Sequence, residues 1–217
     1  MNYQVLLTEM LQGTLMTLRI FFSTLVFALP LGLLVSLGRM SKIKIINWPV
    51  RLFILIMRGT PLMLQLLFVF YGLKPLFGIQ LDRVIAAQVA FALNYAAYFA
   101  EIYRGGIESI PDGQYEAAKV LGFNKKQTFF RIILPQVVKR IIPPMGNEFI
   151  TLVKDTSLAR VIALQEVIWM GESFMKGNSG IAGLVWPLFF TAVYYLIFSG
   201  IVTVLLGKLE KKLDFFQ

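Results

Sequence analysis

Residues 14–37 read TLMTLRIFFSTLVFALPLGLLVSL. A helix of about 20 apolar residues crosses about 30 Å of hydrocarbon, so this run is long enough to span a bilayer. Working outward from it, four more apolar stretches follow at residues 52–73, 84–100, 137–158 and 184–206. The third is short and interrupted by Gln88 and Asn94. The fourth is the weakest, because it holds Pro143, Pro144, Glu148, Lys154 and Asp155. The whole chain agrees with this reading. Of its 217 residues, 57% are hydrophobic and only 15% charged, with a mean hydropathy of +0.71. A soluble domain carries about 25% charged residues. The sequence therefore predicts an all-α integral membrane protein with five transmembrane helices, forming one domain over residues 1–217. It excludes a disordered chain, a secreted disulfide scaffold and an ordinary soluble enzyme.

Cysteine and histidine are absent. That removes thiolate nucleophiles, a Ser-His-Asp triad, and zinc or haem sites built on those residues. The net charge of +9 would suggest nucleic acid in a soluble protein, but its placement explains it otherwise. Arg39, Lys42, Lys44 and Arg51 follow the first stretch. Arg104, Lys119, Lys125, Lys126, Arg131, Lys139 and Arg140 follow the third, and Lys208, Lys211 and Lys212 follow the fifth. These segments alternate with spans, so all can lie on one side, and basic residues stay in the cytoplasm. The expected topology has the N-terminus outside and the C-terminus cytoplasmic, with no nucleic-acid partner required.

Residues 102–136 are the largest water-facing segment. Pro111, Asp112 and Gly113 look like a helix start, Tyr115 to Leu121 is a short helix former, and Gly122 is a natural stop. Ala117, Ala118 and Leu121 give that helix a small apolar stripe. Such a face suits docking into a groove, and equally suits a plain amphipathic connector. No phosphate-binding loop occurs anywhere, so energy for any transport comes from a partner or an ion gradient.

The spacing of Glu116-Ala117-Ala118, Gly122, Ile132, Leu134 and Pro135 resembles the EAA motif of ABC importer permeases. Arg58-Gly59-Thr60-Pro61, Ala100-Glu101-Ile102 with Arg104-Gly105-Gly106-Ile107, and Lys154-Asp155-Thr156-Ser157-Leu158 resemble the polar amino acid uptake branch. The resemblance runs over nearly the whole chain. It implies a five-span type I permease in a bacterial inner membrane, paired with a second permease subunit as a dimer. It also implies two cytoplasmic ATPases that hold ATP and Mg, an extracytoplasmic amino-acid-binding protein, and no cofactor on this chain. On this resemblance residues 102–136 form the coupling loop, with Gly113, Ala117, Ala118 and Gly122 in the ATPase-coupling segment and Glu116 either contacting the ATPase or bracing the loop.

An ionisable side chain at membrane depth is costly and marks a functional site by default. Glu148 lies 11 residues past Val137, or roughly 16 Å deep at about 1.5 Å per residue. Asn94 lies at similar depth in the third stretch. Glu148, Thr151 and Asp155 share one helical face, and Asn94, Tyr98 and Glu101 another, which predicts a cavity lined by spans three and four. Glu148, Asn94, Thr151, Tyr98 and, more weakly, Gln65 are the candidate substrate contacts. Pro143 and Pro144 suggest a helix opened at membrane depth, whose free carbonyls suit an ammonium group. Lys154 and Asp155 point to different faces and read as gate or structural residues. Arg58 reads as a snorkelling residue at the end of span two. In the resembling family an Asn-Glu pair at the place of Asn147-Glu148 recurs in permeases for basic amino acids. This implies an arginine, lysine or histidine substrate. A neutral polar amino acid such as glutamine is the alternative, and an ion-coupled carrier a more distant one. Residues 163–183 read as an outer surface helix, with Gln165, Glu166 and Glu172 facing away from a stripe of Leu164, Val167, Ile168 and Gly171.

Overall fold

The computed structural model describes residues 3–177 and 181–213. The described residues fold into helices and short connections. The first apolar stretch lies within α1, Tyr3–Arg39, which continues through Pro30. The chain turns at Met40–Ile43 and enters α2, Lys44–Gly59. Two short helices, α3 (Leu62–Leu67) and α4 (Leu73–Phe77), follow, joined by a π-helical turn at Phe68–Gly72. Next come α5 (Arg83–Glu108), α6 (Asp112–Val120) and α7 (Lys125–Gln127). After a π-helical turn at Thr128–Ile133, α8 spans Leu134–Asp155 and ends in a 3-10 turn, Thr156–Ile162. Helices α9 (Val167–Gly177) and α10 (Ile181–Leu213) complete the chain.

Among the described residues, three helices, α1, α5 and α10, are long and apolar enough to cross a membrane. Lys44–Gly59 and Leu62–Phe77 reach that standard only as a pair, and the pair is bent by 107°. The single helix expected over residues 52–73 is thus corrected to two, broken at Thr60–Pro61. The residue before a proline is pushed into extended geometry, and Thr60 adopts φ −119°, ψ 146°. Gly59 adds little helical preference of its own. Helix α8 is 22 residues long, or about 33 Å at 1.5 Å per residue. Its length suffices for a crossing, but its charged residues keep it below the others in apolarity.

Helix α5 is the hub. Ala86, Ala87, Ala90, Ala96, Ala97 and Ala100 are all buried on it. Without a hydrophobic drive between helices in lipid, close backbone approach supplies the packing, and small residues permit it. Gly32 shows how close α1 comes: a Cβ there would lie 2.8 Å from the Cβ of Phe99. Gly106 does the same toward α8, where a Cβ would collide with Ile141 Cγ2. Away from this hub, Phe22, Val26 and Leu34 on α1 and Leu196, Ile197 and Leu205 on α10 are exposed. In a membrane these side chains meet hydrocarbon at no cost.

Two further expectations are corrected. Helix α8 runs on through Pro143 and Pro144, and the helix that opens is the α2–α3 pair instead. Packing of Ile141 against Gly106, and of Gly146 beside Leu206 of α10, holds α8 on both sides of its prolines. In the 163–183 segment, α9 is present, but Glu166 is fully buried rather than facing away. Its carboxylate caps α9 by accepting from the Ile168 and Trp169 N–H groups, each at 2.8 Å, and takes the Tyr195 hydroxyl at 3.2 Å. Residues 178–180 of that segment lie outside the described residues.

Candidate functional site

The break at Thr60–Pro61 interrupts the helical hydrogen-bond ladder, and side-chain amides take over the freed carbonyls. Gln65 donates from Nε2 to the Met57 and Thr60 carbonyls at 2.9 and 3.1 Å. Asn94 of α5 donates from Nδ2 to the Met57 carbonyl and to Gln65 Oε1, both at 3.0 Å. These bonds lock the bent pair onto the middle of α5. Irregular backbone at membrane depth is tolerated only where protein or a water-filled cavity covers it, and here a cavity of about 520 Å³ opens beside it.

Its polar wall is formed by Arg58 and Thr60 from the break, Asn94 and Tyr98 from α5, and Glu148, Thr151 and Asp155 from α8. Four of the five expected contacts, Glu148, Asn94, Thr151 and Tyr98, therefore share one cavity. Gln65 does not line it and sits behind Asn94 as a brace. Asn94 is only 4% exposed, and its amide hydrogens are spent on the break. Thr151 turns its hydroxyl back to the Asn147 carbonyl at 3.0 Å. Glu148 makes no ion pair among the described residues, and Lys154 is exposed. Asp155, read from sequence as a gate or structural residue, lines the cavity and accepts a 2.8 Å hydrogen bond from the Tyr95 hydroxyl.

Arg58 was missed as a cavity residue. Its guanidinium lies 5.2 Å from the centre of the Tyr98 ring, a cation–π distance. The signal was present in the Gly-Thr-Pro that follows it, which stops α2 and aims its last turn inward. Glu101, expected on the Asn94–Tyr98 face, does not line this cavity. It pairs with Arg104 at 2.6 Å and approaches Arg39 at 3.7 Å and Arg58 at 4.0 Å. The cavity wall therefore offers two carboxylates and one guanidinium.

Within the connecting segment, the short helix and its glycine stop lie where the sequence placed them. Helix α6 covers Asp112–Val120, and Gly122 takes φ 78°, a left-handed conformation that favours glycine. Gly113, Glu116 and Ala117 are exposed and Ala118 is buried at 1% exposure, so the apolar stripe is split. Its outward part is Ala117 with Val120 and Leu121, which are 87% and 72% exposed. Among the described residues no cluster of metal-ligating side chains occurs.

Residues 28–215 match the family described as binding-protein-dependent transport system inner membrane component. The chain belongs to that family. This inner membrane component is a transport subunit, not an enzyme, and the more distant alternative of an ion-coupled carrier falls with the assignment. It is 36% identical over 202 residues to the L-cystine transport system permease protein TcyB of Bacillus subtilis, covering 93% of this chain and 85% of that one. It is 37% identical over 203 residues to the arginine transport system permease protein ArtQ of the same organism, covering 94% and 91%. The crystal structure of an amino acid ABC transporter with histidines superposes with a TM-score of 0.86 at 32% identity, covering 94% of each chain. The inner membrane component thus has relatives named for amino acids of different side-chain charge.

Proposed function

We propose that this chain is the transmembrane permease subunit of an ATP-driven importer for a cationic amino acid. The observation that carries the substrate class is the charge balance of the cavity. Glu148 and Asp155 supply two negative groups, and Arg58 supplies one positive group. Arginine and lysine present the complement, with one carboxylate and two cationic groups. The carboxylate pairs with Arg58, the side-chain cation with Glu148 and the ammonium with Asp155. A neutral amino acid leaves one carboxylate of the wall without a partner, and buried unpaired charge is costly. Tyr98 and Thr151 complete the contacts, with Asn94 and Gln65 holding the broken helix in place.

In this reading the chain crosses the membrane five times, with α2 and α3–α4 forming one broken crossing and α8 the fourth. The N-terminus is outside and the C-terminus cytoplasmic, which puts Arg39, Arg104 and the α6 loop at the cytoplasmic face. Ala117, Val120 and Leu121 dock into an ABC ATPase, where ATP and Mg are bound. Gly113 and Gly122 bound that helix, and Glu116 contacts the same partner. A second copy of the chain completes the pathway, and an extracytoplasmic amino-acid-binding protein delivers substrate. ATPase closure then rocks the permease between two access states.

The similarity to a cystine permease favours a second reading, a neutral polar substrate such as glutamine in the same cavity. Competition of unlabelled amino acids against labelled arginine, measured by equilibrium binding to the purified permease–ATPase complex, separates the two. Arginine and lysine compete best on the first reading. Strongest competition by glutamine or cystine overturns it.

A further inference from the structure

A second cavity of about 600 Å³ adjoins the first, and Arg58 and Gly59 line both. Its wall includes Arg39 from the end of α1, Trp48, Arg51 and Leu55 from α2, and Glu101 from α5. Three guanidiniums thus face one carboxylate. Guanidinium does not deprotonate in a protein, so the surplus of positive charge is permanent. Arg39 and Arg58 both lean on Glu101, at 3.7 and 4.0 Å, while Arg104 holds that carboxylate more tightly at 2.6 Å. Arg51 is exposed and has no acidic partner among the described residues. An uncompensated cation lining a pathway invites an anion.

We propose that this cavity is a release station for the α-carboxylate of the departing amino acid, formed by Arg51 and Arg58 with Arg39 behind them. The inference rests on the transport reading of the first cavity and extends it. Arg58 stands in the wall between the two cavities. A carboxylate leaving the first cavity can therefore slide around one guanidinium and be taken up by Arg51 without losing its partner. Glu101 is already engaged by Arg104, Arg39 and Arg58, and the rest of the lining, with Trp48, Leu52 and Leu55, is apolar. The station reads the carboxylate alone, which every amino acid has. A cationic side chain is repelled by the three arginines and trails behind, so cargo enters the station carboxylate first.

The test is Arg51→Gln in the permease–ATPase complex, reconstituted with its binding protein in vesicles. Equilibrium binding of labelled arginine to the purified complex keeps its wild-type affinity, because Arg51 does not line the first cavity. Uptake at saturating substrate falls about tenfold, the effect of losing one charge-assisted hydrogen bond. The fall is equal for every amino acid the complex carries. Arg51→Lys keeps the cation and restores most of the rate. Wild-type uptake by Arg51→Gln overturns the proposal, as does an equal fall in Arg51→Lys. Vesicles made with and without anionic phospholipid supply a further arm. A fall seen only with anionic phospholipid assigns the cavity to a headgroup and overturns the proposal. The first-cavity reading is checked separately by Glu148→Gln in the binding assay, so its failure is distinguishable from failure of the station.

Discussion

Replacing Glu148 by Gln removes one negative charge from the substrate cavity and changes little else. The side chain keeps its size, and no ion pair is broken, because Glu148 makes none among the described residues. Asp155→Asn is a poorer probe, since it also disturbs the 2.8 Å bond from Tyr95. The wall goes from two carboxylates and one guanidinium to one of each, which matches a zwitterion. A hydrogen bond to a charged group contributes about 1.5–3 kcal/mol. Glu148 is only partly buried, so solvent screening favours the low end, about 1.5–2 kcal/mol. At 1.4 kcal/mol per decade, arginine binding weakens about 10- to 30-fold. Neutral amino acids lose no such partner and change by less than about threefold on the same scale. The assay is equilibrium binding of labelled arginine and of labelled glutamine to the purified complex, read as the ratio of the two Kd values. A ratio that stays at its wild-type value refutes the charge-matching argument.

Two other perturbations test the scaffold. Gly106→Ala places a methyl group against Ile141 Cγ2 at the α5–α8 contact. Overpacking of this kind costs about 1–3 kcal/mol, so the complex should lose thermal stability, and Ile141→Leu in the same chain, which removes the β-branched methyl, should recover part of it. Burial raises the Glu166 carboxyl from its ordinary 4.5 to about 7, against the opposing pull of the Ile168 and Trp169 N–H donors. The folded chain then keeps a proton that the unfolded chain has released. The stability this contributes is fully present below about 4.5 and is lost as pH rises through about 7, a change on the order of 2–3 kcal/mol. Thermal unfolding measured from pH 5 to 8 should show Tm falling as pH rises, with a shallower slope in Glu166→Gln; equal slopes contradict it.

Some features were legible because they depend on short stretches of chain. Composition and run length indicate membrane helices wherever the chain is folded, since a bilayer admits few alternatives. Helical periodicity alone puts Glu148, Thr151 and Asp155 on one face, and the structure keeps them there. The α6 turn was equally local, because Gly122 supplies the left-handed conformation its own sequence position requires.

Which faces meet is a different kind of fact, and only the tertiary structure decided it. The 107° bend at Thr60–Pro61 carries Arg58 into the cavity wall, where a straight helix would have left it at a span end. The same rotation leaves Gln65 behind Asn94 and sets Glu101 among arginines from two other helices, although its periodicity matched that of Tyr98. Glu166 looked solvent-facing because the helix read over residues 163–183 placed it on a polar side. Packing of α9 against Gly13 of α1 and against Tyr195 of α10 buried it instead. Periodicity fixes directions relative to one helix axis. The relation between axes comes from close approaches such as Gly32 to Phe99, made by residues far apart in the chain.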